Sequence, residues 1–214
     1  ITRKIKSLTI IIRSYTFGDV DGSKVMLDQN KKRVFDLPKI EYTLRTIKSV
    51  IKSCEIAKGS FKDVDIKIIV TDDKSRKKSL DRIDQVLKVS NLETELINLN
   101  GNEFNDQIKT IDTNGNNISK NMVSNMRNLF KSIQIAETEE TDLFYFLEDD
   151  YIHTKEAITE MLFTYEKISS QLNQELFLCP ADYPYLYSSI DESRIFFGNM
   201  RHWRSVNETL ITFL

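Results

Sequence analysis

The stretch from Asp142 to Tyr151 reads Asp-Leu-Phe-Tyr-Phe-Leu-Glu-Asp-Asp-Tyr, a short apolar run that leads into three consecutive carboxylates. The run is rich in aromatic residues and has polar residues on both sides, which favours a strand buried on both faces of a central sheet over a helix. The acidic triplet, Glu148, Asp149 and Asp150, then follows where the strand leaves the sheet. Ligands of open α/β sheets bind just beyond the carboxyl ends of strands. The stretch therefore predicts an acidic ligand site.

Three adjacent carboxylates repel one another, and this repulsion costs folding free energy unless a positive charge offsets it. A divalent cation would supply that charge, and oxygen ligands on a short acidic turn suit Mg²⁺ or Mn²⁺. The alternative is a solvated loop, or acids that cap the next helix. Since Thr154 offers that helix a separate N-cap, we expect the acidic triplet to bind a metal ion.

Polar groups also end two earlier strands of the predicted pattern. Asp72 and Asp73 follow a β-rich run over residues 64–70, and Arg13 follows the first such run, over residues 8–12. Because parallel strands end at one edge of a sheet, we expect these side chains to lie beside the acidic triplet. A cleft of this kind suits a nucleoside diphosphate whose charge a metal ion bridges. The six glycines form no GxGxxG or Walker-type pattern, so a glycine-rich phosphate loop is not expected.

Strands and helices alternate along most of the chain. Further strands are predicted over residues 94–99 and 175–179. Helices are predicted from Asp36-Leu37-Pro38 to Gly59, around Leu80 to Leu87, over residues 119–136 and from Thr154 onward. Alternation up to Ile168 predicts an α/β fold with a largely parallel, Rossmann-like sheet flanked by helices, and a C-terminal part with mixed pairing.

Two of these helices have apolar stripes that we expect to face the core. The stripe of the helix over residues 119–136 consists of Met122, Met126, Leu129, Ile133 and Ala136. The stripe of the helix after Thr154 consists of Ile158, Met161, Leu162, Tyr165 and Ile168. Polar stretches over residues 18–33 and 100–117 are predicted loops.

Composition narrows the class of protein. The chain has 214 residues, 40% of them hydrophobic and 29% charged, as in one soluble α/β domain. A net charge of -2 gives no reason to expect a nucleic-acid partner. No apolar stretch is long enough for a transmembrane segment, so we expect a cytoplasmic protein or one peripheral at the inner membrane face. Cys54 and Cys179 are expected to be buried free thiols. The apolar end of the chain suggests a domain that continues beyond Leu214.

The order of these features resembles the GT-A class of glycosyltransferases. Thr71-Asp72-Asp73-Lys74-Ser75 looks like the nucleotide-reading turn of the family-2 type, and Ser124-Asn125-Met126-Arg127-Asn128 looks like its helix that approaches the nucleotide. Glu148-Asp149-Asp150 looks like a Glu-Asp-Asp form of the metal-binding DxD motif. The resemblance covers roughly residues 8–168. It implies one GT-A domain, with a nucleotide-binding part over about 8–153 and an acceptor-side part over about 154–214.

The resemblance also implies an activity and a role for each matching residue. The chain would be a metal-dependent glycosyltransferase that moves a sugar from a nucleoside-diphosphate sugar to an acceptor hydroxyl. UDP-sugars are favoured as donors over GDP-sugars and others, and glycan, lipid-linked or protein acceptors all remain open. Mn²⁺ or Mg²⁺ would be held by Asp150 with Asp149. The nucleotide would contact Arg13, Asp72, Asp73, Arg127, Asn128, Glu148 and Asp149.

The acceptor side is less well defined. Asp182 is the candidate general base, with Asp191 and Glu192 nearby and a base beyond Leu214 as the alternative. His202 is either a late metal ligand or a surface residue. Four aromatic residues either stack on sugar rings or cover the sheet: Tyr183, Tyr185, Tyr187 and Trp203.

Two other functions fit parts of the pattern. A non-catalytic, transferase-like binding module would keep the fold and leave the acids without metal. A sugar nucleotidyltransferase would need a glycine-rich loop directly after the first strand, where this chain has Ile12-Arg13-Ser14-Tyr15.

Overall fold

A computed structural model describes residues 2–16, 37–111, 115–188, 192–207 and 212–214. Within these ranges strands and helices alternate as the sequence predicts. In chain order the elements are β1 (Ser7–Ser14), α1 (Lys39–Ser60), β2 (Asp65–Asp72), α2 (Lys77–Lys88), β3 (Glu93–Asn98), α3 (Lys120–Thr138), β4 (Leu143–Glu148), α4 (Ala157–Leu172), a 3-10 turn (Pro184–Tyr187), β5 (Ile195–Phe197) and β6 (His202–Arg204). The predicted loop over 18–33 and the start of the first helix at Asp36 lie outside the described residues.

Strands β1 to β4 form one parallel sheet in the order β3-β2-β1-β4. The predicted α/β fold with a parallel sheet is therefore confirmed. In the register of the central strand, Arg13 lies opposite Thr71 on one side and Glu148 on the other. All four carboxyl ends consequently meet at one edge, called the carboxyl edge below.

The two faces of the sheet are covered unequally. Alternate side chains of β1, including Ile10 and Ile12, pack in a large core with residues of α1, α2 and α4. On the other face Ile11 and Ile69 pack with Ile135 of α3 in a much smaller cluster. This asymmetry follows from the placement of three helices on one face and one helix on the other.

The strand that leads to the acidic triplet is buried on one face only. Leu143, Tyr145 and Leu147 are buried, whereas Phe144 and Phe146 are partly exposed. The prediction that both faces of β4 are buried is wrong, because α3 lies mainly over β1 and β2 and covers Phe144 and Phe146 only in part.

The C-terminal residues add antiparallel pairing beside β4. Phe213 exchanges backbone hydrogen bonds of 2.8 and 3.2 Å with Phe146, and Leu214 exchanges two with Leu178. The mixed C-terminal part is thus confirmed, together with an antiparallel β5–β6 pair. The prediction of a strand over residues 175–179 is wrong, since this segment is irregular and, among the described residues, pairs only through Leu178.

Two predictions about helices are corrected by the structure. Thr154 does not cap α4, whose N-cap position is Glu156 without a side-chain cap. In α3 the predicted core stripe points outward: Met122, Leu129 and Ile133 are 37%, 38% and 45% exposed. None of the described helices has the length and apolar character needed to span a membrane.

Candidate functional site

The carboxyl edge brings together seven of the predicted site residues. β1, β2 and β4 end there, so Arg13, Asp72, Asp73, Glu148 and Asp149 converge, and all but Glu148 are fully or almost fully buried. Helix α3 lies across the second face and contributes Arg127 and Asn128, also buried. The polar face of α3 is the buried one because polar groups at the strand ends need hydrogen-bond donors, and α3 supplies them.

Asp73 is a fully buried carboxylate of the edge. Its Oδ2 accepts hydrogen bonds from Ser124 Oγ (2.6 Å) and Arg127 Nη1 (3.3 Å). Arg127 in turn donates to Asn105 Oδ1 through Nε at 3.2 Å. The second carboxylate oxygen, Asp73 Oδ1, is buried and has no hydrogen-bond partner in the described part of the chain. A buried acceptor without a donor is unfavourable, so Oδ1 is an unsatisfied acceptor that a ligand N–H or O–H would satisfy.

Other unpartnered polar atoms lie on the same edge. Asn128 donates from Nδ2 to the carbonyl of Ser14 at 2.9 Å, but its Oδ1 finds no donor among the residues that the structure describes. The same is true of Arg13 Nε, which finds no acceptor there. Native proteins leave few buried polar atoms unpaired. Their concentration at one end of one sheet marks this edge as the candidate site.

Asp72 is used by its own loop. It accepts hydrogen bonds from Ser75 N (2.9 Å) and Ser75 Oγ (2.6 Å), and Ser75 Oγ accepts from Thr16. Burial raises the pKa of Asp72 to about 6, although the hydrogen bonds from Ser75 oppose this shift. Asp72 therefore joins the turn after β2 to the end of β1.

The acidic triplet is partly neutralised by two cations of the chain itself. Arg13 Nη2 lies 3.3 Å from Glu148 Oε1. Burial raises the pKa of Glu148 and lowers that of Arg13, so desolvation outweighs their attraction. On the other side Lys39 Nζ lies 2.7 Å from Asp149 Oδ1 and 3.5 Å from Asp150 Oδ2. Arg13 and Lys39 therefore supply positive charge that offsets the repulsion among the carboxylates, a role that the sequence analysis assigns to a metal ion.

Sequence reasoning missed Lys39 and Thr43, which both hold Asp149. They lie one helical turn apart at the start of α1, and Thr43 Oγ1 donates to Asp149 Oδ2 at 2.7 Å. The backbone N–H of Tyr15 donates to the same oxygen at 3.3 Å. An acid near a helix N-terminus is favoured by the helix dipole. The spacing of Lys39 and Thr43 is the only sequence signal, and it does not reveal a partner more than 100 positions away.

The donor set limits the kind of metal site that this edge could form. In the described ranges no group of three or more His, Cys, Asp or Glu side chains is placed to hold a metal ion. Asp150 has a side chain 53% exposed, and its Oδ2 lies 3.5 Å from Lys39 Nζ. Mg²⁺ is often bound by one or two carboxylates together with substrate phosphates. The residues present therefore fit a metal ion that a phosphorylated ligand completes.

Asp182, the candidate base, already has two partners. Its Oδ2 accepts from the hydroxyl of Tyr187 and its Oδ1 from Arg204 Nη2 at 3.1 Å. The hydrogen bond from Tyr187, with help from Arg204, lowers the pKa of Asp182. Arg204 also lies 4.5 Å from the centre of the Tyr187 ring. Asp182 is consequently a weaker base than a free aspartate.

The remaining acceptor-side candidates are scattered. Glu192 is exposed, and Asp191 lies outside the described residues. His202 is exposed and packs edge-on against Phe197. The hydroxyl of Tyr183 meets that of Tyr151, and this contact links the segment after Cys179 to the acidic triplet.

A cavity of about 850 Å³ separates α4 from the β5–β6 pair. Trp203 lines it and donates from Nε1 to the buried Glu160 at 3.0 Å. Glu160 also accepts the backbone N–H groups of Asn199, Met200 and Arg201. Trp203 thus has a structural role, while Tyr185 and Tyr187 are exposed.

In comparisons with known proteins, no protein-family model, curated protein or solved structure matches this chain.

Proposed function

We propose that this chain is a glycosyltransferase domain that binds a nucleoside-diphosphate sugar at the carboxyl edge of its sheet. The observation that carries the proposal is the open acceptor Asp73 Oδ1, fixed by Arg127 and Ser124 at a strand end. A base N–H would satisfy this oxygen. Because Oδ2 is already occupied, a base that presents a single imino N–H, such as uracil, suits the site better than one that needs both carboxylate oxygens.

The proposal gives the other residues of the edge separate tasks. Arg13 Nε is a donor and Asn128 Oδ1 an acceptor without a partner among the described residues, and ribose or phosphate groups would complete them. Asp150 would hold Mn²⁺ or Mg²⁺, with Asp149 beside it. A bound metal ion would stabilise the charge of the departing diphosphate.

The proposed reaction needs a general base beside the acceptor hydroxyl. Asp182 remains the candidate, and its bonds to Tyr187 and Arg204 must loosen before it accepts a proton from an acceptor hydroxyl. The hydroxyl contact between Tyr151 and Tyr183 offers a physical connection between the donor and acceptor sides.

A thermal-shift experiment with UDP, GDP, CDP and ADP, each with and without Mn²⁺, tests the proposal. A ligand that binds only the folded state stabilises it by about 2.7 kcal/mol when its concentration is a hundred times Kd, and the melting temperature rises as a result. We expect UDP with Mn²⁺ to give the largest shift, and Asp73→Asn to remove it. Asp81→Asn is the matched control, since Asp81 lies on exposed α2. No shift with any nucleotide contradicts the proposal.

A non-catalytic binding module is the second candidate. It is favoured by the pairs Arg13–Glu148 and Lys39–Asp149, which offset the acidic triplet without a metal ion. The two functions separate in a hydrolysis assay. A transferase slowly hydrolyses its donor sugar nucleotide in a metal-dependent manner. A binding module shows a higher melting temperature with UDP but does not cleave the sugar from the nucleotide.

A further inference from the structure

Lys39 connects the first turn of α1 to two adjacent carboxylates of the acidic triplet. Its ammonium lies 2.7 Å from Asp149 Oδ1 and 3.5 Å from Asp150 Oδ2. Its side chain is 20% exposed, against 8% for Asp149 and 53% for Asp150. The ammonium therefore bridges an enclosed carboxylate and an open one.

This position is the one that a metal ion held by the same two aspartates would take. Metal ligands are lone pairs of carboxylate oxygens, and Lys39 occupies them on Asp149 Oδ1. An ammonium and a divalent cation a few ångströms apart repel each other strongly in a partly buried site. Both cannot be held there together.

The carboxylate of Asp149 would keep its place if Lys39 left. Asp149 Oδ2 is fixed independently by Thr43 Oγ1 at 2.7 Å and by the N–H of Tyr15 at 3.3 Å. These contacts come from α1 and from the end of β1, which the sheet holds in register with β4. Removal of the ammonium therefore leaves an ordered anionic site rather than a collapsed one.

We propose that Lys39 is a built-in counter-ion of the acidic triplet, which a divalent cation must displace in order to bind. This inference rests on the metal role of Asp150 in the proposed function. It makes metal binding by the free protein weak, because each metal ion must break the Lys39 pairs. It also releases an ammonium beside the site, where an anionic phosphate would attract it.

Titration with Mn²⁺, followed by the electron paramagnetic resonance signal of the free ion, tests the competition without any activity assay. Lys39→Met is compared with wild type and with Lys77→Met, which removes an equally charged residue from an exposed pair with Asp81. We expect Lys39→Met to bind Mn²⁺ at least about tenfold more tightly than wild type, since one nearby positive charge is removed. Lys77→Met should match wild type. An affinity of Lys39→Met equal to or weaker than that of wild type overturns the proposal.

A second measurement uses the wild-type protein, in case Lys39→Met fails to fold. Reductive methylation of lysines, read by mass spectrometry, reports how firmly each ammonium is held. Lys67 is the internal control, because its side chain is also 20% exposed and it lies 3.0 Å from Glu139. Mn²⁺ should accelerate methylation of Lys39 and leave Lys67 unchanged. An unchanged rate for Lys39 overturns the counter-ion role.

The outcome is distinguishable from failure of the proposed function. UDP binding measured by thermal shift reports on the nucleotide site. If UDP binds and Lys39 does not respond to Mn²⁺, the counter-ion role falls and the nucleotide site stands. If Lys39 responds to Mn²⁺ and UDP does not bind, the counter-ion role stands and the transferase proposal falls.

Discussion

Arg127 Nη1 lies 3.3 Å from Asp73 Oδ2, and the two side chains are 7% and 0% exposed. This buried ion pair joins the polar face of α3 to the end of β2. It holds the carboxylate whose second oxygen has no hydrogen-bond partner among the described residues, so the same pair supports both the fold and the candidate site.

Replacement of Arg127 by methionine should be strongly destabilising. Loss of one partner of a buried ion pair leaves an uncompensated charge and typically costs about 3–5 kcal/mol. Arg82→Met is the control, because Arg82 and Glu41 form a surface pair with side chains 40% and 35% exposed, and such pairs contribute about 0–1 kcal/mol. Urea unfolding measures both. Similar small losses for the two variants would show that Asp73 and Arg127 are not a buried pair.

The orientation of α3 can be tested on two neighbouring isoleucines. Ile133 is 45% exposed and Ile135 is 7% exposed. Ile135→Ala should cost about 2–4 kcal/mol by loss of core contacts. Ile133→Gln should change the free energy of unfolding by less than about 0.5 kcal/mol. A larger loss of stability for Ile133→Gln than for Ile135→Ala would show that the apolar stripe of α3 faces the core, as the sequence predicts.

The buried face of α3 could not be predicted from its apolar periodicity. Apolar periodicity assumes that the buried face is the apolar one, and Met122, Leu129 and Ile133 fit that assumption. Here Asp73 and the carbonyl of Ser14 recruit Ser124, Arg127 and Asn128 instead. A helix that borders a polar site can reverse the usual rule, and apolar periodicity alone does not predict this reversal.

Other features follow from local sequence because their cause is local. β-branched runs such as Leu8 to Ile12 predict strands, and parallel pairing then places Arg13, Asp72 and Glu148 at one edge. The role of Lys39 could not be predicted, since its partner Asp149 is distant in sequence and only the sheet brings them together. The pairing of Phe213 with Phe146 is hidden for the same reason.

Two buried groups should make opposite contributions to the pH dependence of folding stability, over nearly the same pH range. Burial raises the pKa of Asp72 to about 6 and lowers that of His153 to about 4. Between pH about 4 and 6, folded Asp72 holds a proton that the unfolded chain (pKa ~3.9) has released, so its contribution to stability falls as pH rises. Over about pH 4 to 6.5 the unfolded His153 holds a proton that the folded side chain lacks, so its contribution rises with pH.

Single substitutions should reveal the contribution of each group to folding stability. A pKa shift of about two units corresponds to roughly 3 kcal/mol. Relative to wild type, Asp72→Asn should lose stability more steeply on acidification from pH 6 to 4. His153→Gln should lose it less steeply, or gain stability. Chemical denaturation at several pH values measures both slopes. Parallel curves for wild type and both variants would contradict the assigned shifts.

Gly198 should tolerate no side chain. A β-carbon there would lie 2.6 Å from Thr164 Oγ1 and 2.7 Å from Trp203 Nε1, and closer still to Glu160 Oε1. Because Glu160 holds the turn between β5 and β6, we expect Gly198→Ala to cost about 1–3 kcal/mol, as overpacking does.

Gly59→Ala is the matched control for this substitution. A β-carbon at Gly59 meets nothing within 4 Å, and the residue lies in the last turn of α1. Alanine at a compatible position stabilises by about 0.4–1 kcal/mol. The two melting temperatures should therefore move in opposite directions, and equal shifts would contradict the close packing around Glu160.

The most direct test of the central claim is to locate a bound nucleotide in solution. With ¹⁵N-labelled protein and UDP, trace Mn²⁺ broadens the amide signals nearest to the metal-bound diphosphate. The account predicts broadening at Tyr15, Asp73 and Tyr151, and sharp signals at Ser7, Asp65 and Leu143, roughly 20–25 Å away at the other end of the strands. Broadening centred on the cavity beside Trp203, or none that depends on UDP, would contradict it.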